Sequence, residues 1–293
     1  MTTRLALGSL AVGLAVLALK VLAAYLTGSI ALTSDALESV VNVATAILAL
    51  VAVRLAARPA DATLQYGYGK AEYFSAVITG VLIVVAALLI FDQAWRGFVT
   101  PHAIVPDPWG IGVSIIATVI NAVWAYFLVR LGTRERSAAL VADGRHLYTD
   151  VLSTAGVIVG VVAAIVTGYQ PLDAILAALV GIAILWSGWH VVWNSVIGLM
   201  DVSVEPARLS QIKDVISASA EGAIEAHDIR TRQAGRLTFI EFHLVVPGTM
   251  SVEDAHAICD RIEGRLRETV EDAQVTIHVE PENKAKHSGI VVL

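Results

Sequence analysis

Arg145-His146-Leu147-Tyr148-Thr149-Asp150, read with the earlier stretch Ser34-Asp35-Ala36-Leu37-Glu38-Ser39-Val40-Val41-Asn42, carries ionisable and amide side chains into apolar sequence of membrane-spanning character. A charged group at the bilayer centre costs about 2.5–3.5 kcal/mol on insertion scales, so such residues mark a functional site by default. His146 and Asp150 stand four residues apart, and so do Glu38 and Asn42. On a helix each pair projects from one face, and two such faces can meet. One imidazole and three oxygen donors then converge, a set suited to a divalent transition metal. A single Glu or Asn in a span can serve helix–helix hydrogen bonding instead, worth about 0.6–2 kcal/mol. Two such pairs on two spans would need that coincidence twice.

Outward from these stretches, the chain is 56% hydrophobic and only 16% charged over 293 residues, unlike an ordinary soluble domain. Apolar runs of spanning length occur at Leu5–Leu26, Ile30–Leu55, Phe74–Phe98, Trp109–Leu131, Leu147–Thr167 and Leu172–Leu199. The first follows Met1–Arg4 but is too long for a signal peptide and reads as a span. Arg4, Arg54, Arg58, Lys70, Arg130, Arg134, Arg136 and Arg145 fall on one set of loops, whereas the other set holds little beyond Arg96. An even number of spans and this bias put both termini in the cytoplasm of an integral membrane protein, expected in the cell (inner) membrane. The short turns Thr27-Gly28-Ser29 and Gly168-Tyr169-Gln170-Pro171 make hairpins of spans one with two and five with six. Trp186, Trp189 and Trp193 are expected at headgroup level with His190 among them, and Lys20 can snorkel.

Beyond Met200-Asp201 the composition turns polar, which divides the chain into a transmembrane domain, 1–201, and a soluble cytosolic domain, 202–293. The spacing there predicts a helix over Glu205–Ala220 and strands over Ala223–Arg232 and Arg236–Val246 around a Gln233-Ala234-Gly235 turn. A helix over Ser251–Val270 follows, with Ser251 as N-cap and Asp254 at N3, then a strand over Gln274–Val279. The order αββαβ predicts a ferredoxin-like α+β sandwich, with the tail from Pro281 to Leu293 ordered only in part. So small a core invites help from a symmetric partner or a metal.

Cys259, the one cysteine, excludes a disulfide framework or thiolate cluster within the chain, so metal must be held by histidine and carboxylate. A net charge of −6 with no basic stripe argues against nucleic acid as a partner. Neither a phosphate-binding loop nor a His-Glu-x-x-His helix is visible, so nucleotide-driven transport and an intramembrane metalloenzyme are not expected. A neutral imidazole binds a divalent cation and a protonated one does not. At His146 metal and proton therefore compete, and a proton gradient can drive metal across if the helices expose the site to each side in turn.

The chain resembles the cation diffusion facilitator family of divalent-metal/proton antiporters over nearly its whole length. The landmarks are Ser34-Asp35-Ala36-Leu37-Glu38-Ser39, Tyr66-Gly67-Tyr68-Gly69-Lys70-Ala71-Glu72, His146-Leu147-Tyr148-Thr149-Asp150 and Ala226-His227-Asp228-Ile229-Arg230-Thr231-Arg232. The resemblance implies a homodimer that exports a divalent cation, Zn2+ first with Fe2+, Co2+ or Mn2+ as alternatives, in exchange for protons; a membrane-anchored metal sensor is the reading from another class. It carries the transport site onto Glu38, Asn42, His146 and Asp150. His146 and Asp150 match the family pattern, whereas Glu38 and Asn42 replace its usual His or Asp and its usual Asp. Asp35 ranks below these four.

In the loop between spans two and three, Leu64 and Tyr68 stand where relatives carry histidines, so Asp61 is not expected to hold a second metal. In the soluble domain the resemblance makes His227, His243, His256, His278 and Glu280 zinc ligands with a regulatory role at the dimer. It also implies a charge interlock between Lys70 and Asp201.

Overall fold

The computed structural model describes residues 2–27, 30–99, 108–167, 171–286 and 289–291. The side chains of residues 30–38 and the two outer turns expected to close the hairpins lie outside this set, Thr27 and Pro171 excepted. The chain divides into two compact units, Met1–Val196 and Ile197–Leu293.

The first unit is all-helical: α1 (Thr2–Thr27), α2 (Ile30–Ala56), α3 (Ala71–Val99), α4 (Pro108–Arg134), α5 (Ala138–Thr167) and α6 (Pro171–Leu199). Among the described residues, Thr2–Leu22, Ala71–Val99, Ile115–Arg134 and Ile175–Leu199 are long and apolar enough to cross a membrane, and α2 adds a shorter apolar stretch, Asn42–Ala56. In α5 a polar stretch with Asp143, Arg145, His146 and Asp150 precedes the apolar run that extends to Thr167.

The fifth helix begins at Ala138, about two and a half turns before its apolar run opens at Leu147, the earlier start that a common depth of the two donor pairs requires. The apolar run opens only where the polar face of the helix ends. Ser137 caps the true start, accepting from Leu140 N at 3.4 Å and donating to buried Glu72 of α3. Small residues let the helices approach closely: a Cβ on Gly144 of α5 would stand 2.8 Å from Val129 Cγ2 of α4. Trp186, Trp189 and Trp193 lie exposed on α6. Lys20 is buried instead of reaching outward.

The second unit comprises α7 (Pro206–Ser219), β1 (Glu225–Ala234), β2 (Leu237–Val246), α8 (Val252–Thr269), β3 (Ala273–Pro281) and β4 (Ile290–Val291). Its sheet runs β3-β2-β1-β4, with β1 and β2 antiparallel and β2 and β3 parallel. This is the ferredoxin-like α+β sandwich. The short β4, pairing with Glu225 and Ala226 of β1, adds an edge strand to the expected order. Gly235, in the left-handed region at φ 60°, makes the β1–β2 turn. Ser251 caps α8 by accepting from Asp254 N at 3.1 Å.

Alternation along β2 sends Phe242 and Leu244 into the core with Ile212, Ile216, Ile262 and Leu266 of α7 and α8, and leaves His243 on the other face. Cys259 sits in this core, and burial, followed by the charges of Glu263 and Asp260, pushes its thiol up. Thiol reagents at neutral pH are expected to leave Cys259 largely unmodified in the folded protein and to label it on unfolding, which mass spectrometry of the modified chain reads directly.

Candidate metal centres

In the membrane unit two spans, α3 and α4, lie between α2 and α5, so this pair runs antiparallel. Ala49 of α2 and Ala139 of α5 share one core cluster. One turn deeper along that pair, Thr45 Oγ1 of α2 donates to Asp143 Oδ1 of α5 at 3.4 Å. Because the helices run in opposite directions, one turn outward from this contact brings Asn42 level with His146. A further turn brings the Glu38 position level with Asp150. The two expected donor pairs therefore stand at one depth, which the early start of α5 makes possible.

Asn42 and His146 are buried and Asp150 is half-buried. Asn42 Oδ1 accepts no hydrogen bond among the described residues. An amide oxygen so enclosed costs about 1–3 kcal/mol unless something electropositive meets it, and a cation does so. The side chains of Glu38 and Asp35 lie outside the described residues.

Asp143, absent from the expected set, is buried one turn before His146 and accepts from Ser9 of α1 as well as from Thr45. Its signal in the sequence is its place three residues before His146, on the same helical face.

In the loop after α2, Asp61 accepts from Thr63 N and Leu64 N at 2.8 Å each and from Tyr68 Oη at 2.5 Å. These bonds, that from Tyr68 foremost, hold its carboxyl below the usual range and push the Tyr68 phenol up. Asp61 organises the loop's turn.

In the second unit, strand register builds a row. His227 of β1 faces His243 of β2, and His243 faces His278 of β3. Their ring centroids are 5.3 Å and 4.9 Å apart. Glu280, two residues along β3 and so on the same face, is the hub: Oε2 stands 3.3 Å from His227 Nε2, and Oε1 stands 3.3 Å from His243 Nδ1 and 3.8 Å from His278 Nε2. Neither ring nitrogen of His227, nor Nδ1 of His243, makes a hydrogen bond among the described residues. Ligands about 2.0–2.2 Å from a tetrahedral metal are spaced about 3.4 Å from one another, so this donor set fits a zinc-like cation.

Asp228 joins the group, since its carboxylate and one nitrogen each of His227 and His243 lie within 4.8 Å of one another. The bulge after His227 makes this possible by breaking strict alternation, with Asp228 at φ 52°. Consecutive residues then serve one cluster, which a regular strand forbids. His256 does not belong to it. It is exposed on α8, 3.7 Å from Asp260.

Lys286 Nζ lies 2.5 Å from Asp228 Oδ2 and holds that carboxyl below the ordinary 3.8. A depressed folded value means that the pair's contribution is complete above pH 3.8 and is lost as pH falls through the lower folded value. Lys286→Met is therefore expected to move the Asp228 titration up toward 3.8, read by carboxylate carbon NMR. An unmoved titration would show the pair to be inconsequential. Within the second unit Arg232 Nη1 stands 3.4 Å from Asp201 Oδ1.

A family model for the cation efflux transmembrane domain matches residues 6–200, and one for the cation efflux protein cytoplasmic domain matches residues 204–282. An uncharacterized transporter of Synechocystis is 42% identical over 285 residues, covering 96% of this chain and 92% of that one. The cation-efflux pump FieF of Yersinia pestis is 30% identical over 276 residues, covering 94% and 91%. The solved metal-bound C-terminal domain of the CzcD transporter from Thermotoga maritima is 32% identical, with TM-score 0.25, covering 28% of this chain and all of that one. Two consecutive domain matches spanning both units, with relatives similar from end to end, make this chain an integral membrane member of the cation efflux, or cation diffusion facilitator, family: a transporter and not an enzyme.

Proposed function

We propose that the chain exports Zn2+ from the cytoplasm in exchange for protons, as a homodimer in the cell membrane with both termini cytoplasmic. The observation that carries this reading is the Thr45–Asp143 contact, which sets the antiparallel register that levels Asn42 with His146. Asp150 supplies an anionic donor, His146 an imidazole and Asn42 a neutral oxygen, with Glu38 as the second carboxylate. His146 is the point of exchange: it takes metal when neutral and releases it when protonated. Outward-facing protonation then discharges the cargo, and return to the inside frees the proton.

A second reading keeps the mechanism and moves the cargo toward Fe2+ or Mn2+. The enclosed Asn42 oxygen favours it, because an amide where relatives carry a carboxylate leaves an oxygen-rich site with one imidazole. Flux of Zn2+, Fe2+ and Mn2+ into proteoliposomes with an acidic lumen separates the two. Zn2+ moving fastest supports the first reading, and Mn2+ or Fe2+ moving fastest replaces it by the second. Protein that binds metal and moves none would be the anchored sensor.

The row of His227, His243 and His278 with Glu280 and Asp228 is a regulatory metal site in this reading. A cation bound there draws three strands of the sheet together at one point and neutralises the two carboxylates. To use Asp228 it must displace the Lys286 ammonium. Substituting Lys286 with Met is expected to tighten Zn2+ at this site by a few-fold, the scale of an exposed ion pair, as measured by competition with a chromophoric chelator.

A further inference from the structure

We infer that Asp143 is a positioning residue for transport, a carboxylate that pins α1 and α2 to α5 and so keeps the donors on α2 level with those on α5. The inference rests on the transport-site reading above and assigns Asp143 no contact with the metal.

Asp143 is 1% exposed, so its carboxylate is removed from water and needs compensation from its neighbours. Each oxygen finds it on a different helix. Oδ2 accepts from the Ser9 hydroxyl of α1, and Oδ1 faces the Thr45 hydroxyl of α2 at 3.4 Å. An alanine here would leave both hydroxyls buried without this acceptor. The side chain next to it in sequence is absent: Gly144 packs against Leu128 and Val129, so α4 is pressed onto the same turn of α5. Asp143 thus stands at the junction of α1, α2, α4 and α5.

The link to the metal donors is through Thr45. Its one hydroxyl hydrogen is directed both at Asp143 Oδ1 and, at 2.9 Å, at the backbone carbonyl of Asn42. Asp143, Thr45 and the backbone of Asn42 form one chain, ending at the residue whose side-chain oxygen is enclosed without a donor among the described residues. Three residues beyond Asp143 on the same face of α5 stands His146. A slip of α2 against α5 at this pin would carry Asn42 away from His146 by the rise of the turn that slipped, about 5.4 Å. Outer-shell groups that orient metal ligands characteristically matter at the level of about 10–100-fold in affinity.

The test uses full-length protein in a His243→Ala, Glu280→Ala background, so that Co2+ reports on the membrane site through its visible absorption. Thr45→Val keeps the size of the side chain and removes its hydroxyl; Thr45→Ser restores the hydroxyl; Asp143→Asn replaces one of the two acceptor oxygens with an NH2 group. Thr45→Val and Asp143→Asn are expected to weaken Co2+ binding about tenfold and to shift its absorption bands, and Thr45→Ser to return both toward the parent. Parent-like affinity and bands in Thr45→Val and Asp143→Asn, with only a lowered melting temperature, would overturn the inference, because a purely structural role predicts that pattern. His146→Ala in the same background separates the two levels. Unchanged Co2+ binding in that variant would mean that the transport-site reading itself had failed, and the inference with it.

Discussion

Replacing Asp150 with alanine is expected to lower proton-driven Zn2+ flux by at least about 100-fold, with metal binding by the cytosolic cluster unchanged. Asp150 is a half-buried carboxylate facing the level of Glu38, and the register set by Thr45 and Asp143 leaves no other described carboxylate of α5 at that depth. A divalent cation inside a membrane must be met by anionic donors, since the alternative of an underneutralised charge in low dielectric is far costlier than any single ligand bond. Removing one of two carboxylates from a four-donor set affects both occupancy and the proton exchange coupled to it. Initial rates of Zn2+ entry into proteoliposomes, normalised to protein orientation, measure the loss. A rate within twofold of the parent would remove Asp150 from the site.

Glu280→Ala is the second large effect, expected to weaken the cytosolic Zn2+ site by at least about 100-fold, the upper end of what outer-shell groups contribute. The reason is its position: both of its oxygens are engaged, one by His227 and the other by His243 and His278. The three histidines alone form a row fixed by strand register, whose outer members are on different strands with His243 between them. Without the hub carboxylate the described carboxylates left beside the row are Asp228, which Lys286 already engages, and Glu225, whose Oε1 stands 3.8 Å from His227 Nδ1. Zn2+ titration of the full-length protein in an Asp150→Ala background isolates this site. His256→Ala serves as the contrast and is expected to leave affinity within the chain's own site unchanged, since His256 stands apart with Asp260.

The six-helix order and the ferredoxin-like domain were legible in the sequence because they depend on periodicity, whereas the cytosolic histidines and Glu280 were named through the family resemblance. Spanning runs, alternation along β2 and the two-residue step from His278 to Glu280 are all local patterns. What escaped depends on contacts between distant residues or on departures from regular geometry. The start of α5 at Ala138 lies ahead of the apolar run and follows from the depth match of the donor pairs, because the first turns of that helix bury Asp143 against Ser9 and Thr45. Asp228 was passed over because strict alternation puts it on the face opposite His227, and only the bulge brings it back. β4 is too short to show a period, and its placement beside Glu225 follows from pairing across the sheet edge. For His256, helix spacing alone carried no information on distance from the row on the sheet. Glu38 is carried by its backbone position on α2.

The central claim, exchange of metal for protons at one intramembrane site, is tested most directly by recording Zn2+ entry and luminal pH together in proteoliposomes that trap a pH-sensitive dye. The predicted result is proton exit from the lumen in step with Zn2+ entry, both accelerated by an acidic lumen and both absent in His146→Ala. Zn2+ entry at the same rate with no accompanying change in luminal pH would contradict it.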